Sequence, residues 1–289
     1  MTKVLILGST GMLGSAVLRQ ANLHGLDVLE ASRTRGLRFD AFELQTRELI
    51  HAGDLSAGDY IVNCVGLTKS HIEEGSMDSH SKAVRLNVDF PISLAVAAQS
   101  EGVKVLQVAT DCVFSGVAGS YSETATHDPW DVYGKTKSLG EVPSPAVMHL
   151  RCSLIGPEVG RKSLFFEWIR QQPSRASIQG YANHYWNGLT SDVFGKIVAG
   201  IVSKGLFTAG VQHLVPRGKV SKNDLVRLVL EGLGRGDVEV STIDAVQRVD
   251  RTLATQNIEV NRSLFAAAGY KNPPTIGQMV RSLCIQLAD

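Results

Sequence analysis

The sequence lacks an uninterrupted apolar run of about 18 residues, the length a membrane-spanning helix requires, so no such helix is expected. It also lacks charge of one dominant sign. The 29 Lys and Arg residues against 28 Asp and Glu leave a formal net charge of +1, which gives no basis for a nucleic-acid surface or an anionic-membrane partner. Cysteine is scarce, and Cys64, Cys112, Cys152 and Cys284 have no paired metal-ligand spacing. Three of them sit at or just beyond apolar strand-like runs, which reads as small buried thiols in a reducing compartment. No His, Asp and Glu cluster has a metal-binding spacing, so no metal is expected. Repeats and low-complexity tracts are absent. The opening MTKVLILGST runs straight into a glycine turn and does not read as a signal peptide, so a cytoplasmic protein is expected.

What is present is ordinary for a globular chain: 289 residues, 44% hydrophobic and 20% charged, enough for one large domain or two unequal ones. The first half alternates between two periods. KVLILG (3–8), DVLEAS (27–32), DYIVNCVG (59–66), VKVLQVA (103–109) and AVMHLRCS (146–153) read as strands. Helical spacing occupies 12–25, about 41–50, and a long stretch from 80 to 101. Buried strands separated by helices predict an α/β fold, a Rossmann-type doubly wound parallel sheet. The rhythm changes after Pro157. Helices are expected over 163–172, 191–204, 221–233, 256–268 and 275–287, with a short strand at HLVP (213–216). This divides the chain into a nucleotide-binding domain, 1–157, and a smaller α/β substrate-binding lobe, 158–289, with segments returning to the first domain.

KVLILGSTGMLGSAVL joins the first strand to a helix through Gly8, Gly11 and Gly14. Glycines there permit a tight turn, close approach of a pyrophosphate and close helix packing, while the helix N-terminus offers N–H groups to phosphate. The spacing is GxxGxxG rather than the commoner GxGxxG, so position after the first strand carries much of the signal. At the end of the second strand, Ser32 and Arg33 stand where an NAD site usually has an acid. A hydroxyl beside a guanidinium suits a 2′-phosphate, which favours NADPH with NADH as an alternative.

Thr110 follows strand 103–109 at its carboxyl end, where open parallel sheets bind ligands. Tyr133 and Lys137 are four apart and share a face if 131–140 is helical. An ammonium near a phenol lowers its pKa. Such a phenol can give a proton to a carbonyl oxygen as hydride reaches the carbon, with Thr110 as a second donor. Taken without the glycine loop, the pair would read as an amphipathic surface helix.

The motifs GSTGMLG, DYIVNCVG, RLNVDFPISLA, VLQVATDCVFSG, YSETATHDPWDVYGKTKSLGE and LRCSLIGPE occur in order over roughly residues 1–157. Together they resemble the extended short-chain dehydrogenase/reductases, and within them the dTDP-4-dehydrorhamnose reductase-like branch of nucleotide-sugar reductases. The resemblance implies a Thr110–Tyr133–Lys137 catalytic group, with Lys137 also bonding the nicotinamide ribose. It places Gly8, Thr10, Gly11, Met12, Leu13 and Gly14 around the pyrophosphate and Cys64, Val65 and Gly66 on the adenosine-ribose side. Asn87 would brace the cofactor-side loops, although an asparagine there also reads as purely structural. Thr68, Asp111, Val113 and Phe114 are assigned to the substrate side. Two departures matter. Ala109-Thr110-Asp111-Cys112 replaces the common Ser-Thr-Asp-Tyr, and DRTLATQNIEVNRS replaces the Arg-Pro-x-Asn-Ser pattern.

GYANHYWNGLTSDVFG (180–195) crowds aromatic rings and amides ahead of a helix capped by Thr190 or Ser191. Tyr181, Asn183, Trp186 and Asn187 are the substrate-loop candidates, against the plainer reading of a packed aromatic turn. The function expected is NADPH-dependent reduction of a keto group, at C4, of a nucleotide-linked 4-keto-6-deoxy sugar. An epimerase, a dehydratase (which would commonly have Asp-Glu after the threonine) and a non-catalytic regulatory subunit are the competing readings. Some dehydrorhamnose reductases are associated with magnesium, for which no residues stand out here. A homodimer is left open.

Overall fold

Seven parallel strands form the central sheet of the computed structural model, which describes residues 2–159 and 163–288. In spatial order they are Leu37–Arg38, Asp27–Ser32, Lys3–Leu7, Tyr60–Asn63, Lys104–Ala109, Val147–Arg151 and Gly210–His213. Chain order reverses between Lys3–Leu7 and Tyr60–Asn63, leaving a crevice at the carboxyl ends of the strands. This is the Rossmann-type arrangement the strand–helix alternation predicts. The seventh strand lies three residues before the expected HLVP and is an edge strand beside Val147–Arg151.

Alternation along the buried strands fills both faces. Val4, Ile6, Val62, Leu106 and Leu150 face a core built with Phe194, Ile197, Leu225, Val229, Val280 and Leu283. Leu5, Leu7, Ile61 and Val105 face the opposite core, with Phe90, Leu94 and Ala98. Helix Ser191–Lys204 therefore packs on helix Met12–Leu23. A side chain at Gly195 would stand 2.9 Å from the Ala16 carbonyl. The buried Asp192 carboxylate fastens the same contact, accepting from Arg19 at 2.9 Å and Gln20 at 2.6 Å.

Two predicted helices are broken, each for a local reason. The stretch 80–101 becomes helix Met77–Val84, a wider π-helical turn Arg85–Asp89, and helix Phe90–Glu101. Pro91 lacks an N–H and its ring crowds the carbonyl four residues earlier, that of Asn87. The stretch 41–50 becomes a short turn Ala41–Glu43 and helix Thr46–Ala52, separated by Leu44 in the left-handed region at φ 57. The aromatic stretch becomes short strands. Ser177–Tyr181 pairs with Glu239–Ile243, and His184–Trp186 lies between Val220–Ser221 and Val249–Asp250. Leu189–Thr190 pairs with Leu154–Ile155.

Beneath the crevice, the fully buried Arg151 bonds Glu141 and donates to His127 Nε2 and His213 Nε2, both at 2.9 Å. A guanidinium only donates, so both Nε2 atoms accept and both rings are neutral. The Nδ1–H groups then donate to Ser138 Oγ at 2.8 Å and to the Ala254 carbonyl at 2.7 Å. Burial, reinforced by Arg151, holds both imidazoles below 6.5, while Glu141 acts in the other direction. A histidine depressed by folding binds fewer protons in the native state. Its contribution to stability is therefore complete above 6.5 and is lost as the pH falls through that value toward the folded pKa. The melting temperature should fall on acidification from pH 7 to about 5, and should fall less in His127→Gln and His213→Gln.

Candidate active site

The first strand ends in Gly8, whose φ of +74 and bond to the Ala31 carbonyl (2.9 Å) turn the chain toward the helix. Gly11 precedes helix Met12–Leu23 and contributes no side-chain cap. A β-carbon on Gly14 would lie 2.1 Å from the Gly8 carbonyl, so only glycine lets helix and turn close up. Ser9 Oγ is buried without a partner. An uncapped helix start beside an unsatisfied hydroxyl fits a phosphate-bearing ligand. Thr10, Met12 and Leu13 lie in this same turn and first helical residues.

Cys64, Val65 and Gly66 follow the fourth strand and flank the glycine turn, a Gly8 β-carbon lying 3.2 Å from Val65 Cγ2. The Cys64 thiol is pushed up to about 12 by burial and is not a nucleophile. Asn87 binds this loop at both ends of its amide. It accepts from Leu67 N at 2.8 Å, and donates to the Leu67 carbonyl at 3.0 Å and to Thr136 Oγ1 at 3.1 Å. Its side chain is a loop brace, and the loop it holds carries Thr68, which bonds His71 Nδ1 at 2.8 Å.

Ser32 does not present a free hydroxyl. Its Oγ donates to the Arg35 carbonyl (3.0 Å) and accepts from Thr34 N (3.2 Å) and Arg35 N (2.7 Å), which uses its one proton and both lone pairs. The serine expected to face a 2′-phosphate thus builds the turn that presents Arg33, which is exposed. Arg35 is paired with Glu30 at 3.0 Å.

Across the crevice, Thr110 ends the fifth strand and caps the turn Asp111–Val113, accepting from Cys112 N at 3.2 Å. Helix Val132–Leu139 begins where Asp131 accepts from Gly134 N at 2.7 Å, and Lys69 pairs with the same carboxylate at 2.7 Å. Tyr133 and Lys137 share one face of this helix. The Thr110 hydroxyl donates to Asp111 Oδ1 at 3.2 Å. Burial drives the Tyr133 phenol above its usual 10.0, against an opposing influence of Thr110. Lys137 is turned to the strand end. Its ammonium donates to the Val108 carbonyl at 2.9 Å, and burial lowers its own pKa. In this arrangement burial, which raises the phenol, is the largest influence on Tyr133.

The substrate-side candidates divide. Asp111 lies beside Thr110, its carboxyl raised by burial against the opposing pull of Arg251 and Lys222. Val113 and Phe114 are fully buried. Phe114 stacks on Tyr121 at 4.2 Å and lies under the Arg151 guanidinium, so these two side chains are core rather than substrate contacts, because the turn after Thr110 points them inward. The amides of Asn183 and Asn187 are consumed by backbone groups of Ala245 and Leu253. Tyr181 is 39% exposed and leans on His184. Trp186 is only 3% exposed, yet its indole Nε1 has no partner. Sequence reasoning missed Lys222 and Arg251. Lys222 follows Arg217 and Lys219, and Arg251 follows Arg248, and nothing in the linear sequence ties either to Asp111. Among the described residues no group of three or more His, Cys, Asp or Glu side chains could hold a metal, and no helix is long and apolar enough to cross a membrane.

The family model for the RmlD substrate binding domain matches residues 1–286. The chain belongs to this family. The RmlD-family chain is 32% identical over 144 residues to the rat methionine adenosyltransferase 2 subunit beta, covering 48% of this chain and 41% of that protein. It is 29% identical over 144 residues to a Mycobacterium tuberculosis dTDP-4-dehydrorhamnose reductase, covering 48% and 44%. The match thus spans less than half the length of these curated relatives. A dTDP-4-dehydrorhamnose reductase structure from Clostridium acetobutylicum superimposes with a TM-score of 0.79 at 19% identity, covering 100% of both chains. One from Bacillus anthracis, in complex with NADP, gives 0.79 at 18% identity, covering 99% of this chain and 100% of that one. At these identities the superpositions establish the fold.

Proposed function

We propose that this protein is an NADPH-dependent reductase of a keto group, at C4, on a nucleotide-linked 4-keto-6-deoxy sugar. The observation that carries the reading is Thr110 placed directly after strand Lys104–Ala109, with Tyr133 and Lys137 on one face of helix Val132–Leu139 and an uncapped glycine turn after the first strand. A nicotinamide dinucleotide, when bound, supplies hydride. Gly8 to Gly14 hold its phosphates, Arg33 faces the 2′-phosphate, and Asn87 keeps loop 64–68 in register. Tyr133, held protonated by burial, gives its proton to the carbonyl oxygen, and Thr110 donates a second hydrogen bond to that oxygen. Lys137 releases Val108 to bond the ribose. Residues 158–289 supply most of the substrate side, in the division from 1–157 that the sequence rhythm marks at Pro157.

Oxidation of NADPH with a panel of nucleotide-linked 4-keto-6-deoxy sugars, with product configuration read by NMR, tests this directly. No turnover with any member, from protein that binds NADPH, would favour a second reading: a non-catalytic NADP-binding subunit. The Lys137 ammonium bound to Val108 and the similarity to a methionine adenosyltransferase subunit favour that alternative.

The cofactor preference has its own test. Arg33→Ala removes the exposed guanidinium and should weaken NADPH binding by about tenfold or more, the loss expected for a charge-assisted phosphate contact, while NADH binding stays nearly constant. Equal losses for both in a fluorescence titration would remove Arg33 from the phosphate site.

A further inference from the structure

Ser138, His127, Arg151, His213 and Ala254 form one continuous chain of hydrogen bonds beneath the crevice. At one end is the helix that carries Tyr133 and Lys137; at the other is the segment that follows strand Val249–Asp250. The middle is Arg151, whose guanidinium lies 5.3 Å from the centre of the Phe114 ring and bonds Glu141. Both histidine Nε2 atoms that meet the guanidinium must offer it a lone pair. A proton on either Nε2 sets donor against donor and cation against cation beside a fully buried charge.

Water reaches the two rings unequally. The His127 side chain is 24% exposed and His213 only 1%, so His127 is where a proton enters. The charges around His127 are Glu141, Arg151 and Asp128, and the edge of its ring meets Phe114. Asp128 is engaged by Ser115, which donates from N at 2.7 Å and from Oγ at 2.6 Å. Glu141 Oε2 stands 3.8 Å from His127 Nε2 and is held by Arg151. His213 faces Arg151, Glu123 and Glu141, and Glu123 is engaged by Thr255 Oγ1 and Gln256 N. Lys137 and His149 also feel Glu141, but they bond the Val108 and Val142 carbonyls and stand outside the chain. A charged His127 therefore gains a counter-ion by drawing Glu141 away from Arg151.

We propose that Ser138–His127–Arg151–His213–Ala254 is an acid-released latch between the Tyr133 helix and segment 251–257, closed while both rings are neutral and opened by a proton on either. The release is local and does not depend on which reaction the crevice performs: the two sides of the crevice part while the sheet beneath keeps its packing. Burial holds both rings below 6.5 in the closed latch, whereas a released ring takes up protons at that ordinary value. Each ring thus makes opening up to about tenfold easier for every pH unit below it.

Hydrogen exchange of the full chain, resolved by segment and corrected for the intrinsic pH dependence of exchange, tests the latch. From about pH 7.5 to about 5, protection over 132–139 and 251–257 should fall at least about tenfold, while strands Lys3–Leu7 and Tyr60–Asn63 hold theirs. His127→Gln keeps an acceptor for Arg151 but cannot titrate, and should cut the fall over 132–139 to about threefold or less. His213→Gln should do the same over 251–257. The latch is overturned if both segments keep their protection at about pH 5, or if the strands loosen in step with them, which is global unfolding. It is overturned equally if the folded double variant His127→Gln/His213→Gln retains the full fall, which would put the proton on His149 or a carboxylate. Should the variants fail to fold, the wild-type contrast between the two segments and the strands decides it alone.

Discussion

Tyr133→Phe should lower turnover about 100-fold or more while leaving NADPH affinity nearly unchanged, in the range expected for a positioned proton donor. The ring is kept, so packing is preserved; what is lost is the phenolic proton. In the direction of reduction the phenol must carry its proton, and burial keeps it in that form well above neutral pH. Lys137→Ala should be at least as harmful, since the ammonium is both a ribose ligand in the proposed mechanism and the tie to Val108 that orders the strand end. Thr110→Ala should cost less, because Tyr133 still reaches the oxygen. Steady-state rates with a competent keto sugar, alongside NADPH fluorescence titration, separate chemistry from binding. Near-normal turnover in folded Tyr133→Phe would take the reductase assignment down with it.

The largest stability effect is expected at Glu141. Glu141→Leu leaves the Arg151 guanidinium fully buried with its carboxylate gone and only two neutral imidazoles as acceptors. Removing one partner of such a buried pair costs about 3–5 kcal/mol, which urea denaturation would read as a lower midpoint. The double variant Arg151→Met/Glu141→Leu should recover most of that loss, because the stranded charge, rather than the missing bond, carries the penalty. A single variant as stable as the wild type would mean that water or a rearranged histidine satisfies Arg151. This cluster also joins the helix bearing Tyr133 to Ala254, through Ser138 and the two histidines. A loss there would loosen both sides of the crevice.

The sequence alone determined the parallel sheet and the place of its crevice. Strand and helix signals in this chain are local: β-branched and Leu runs bounded by glycine, then apolar residues at helical spacing. Strand Asp27–Ser32 and helix Ser191–Lys204 therefore coincide with the residues expected. Gly8, Gly11 and Gly14 could be read as a close approach because glycine alone tolerates it, and Tyr133 with Lys137 because a four-residue step is a helical face. The tertiary structure decided the matters that depend on desolvation and on distant partners. It gave Ser32 to a turn, buried Val113 and Phe114, and spent the Asn183 and Asn187 amides on backbone. It also turned Lys137 toward the Val108 carbonyl and buried the Tyr133 phenol, whose pKa burial raises, a cause that no spacing encodes. Lys222 and Arg251 stand more than a hundred residues from Asp111 in the chain, and only folding brings their charges to bear on it.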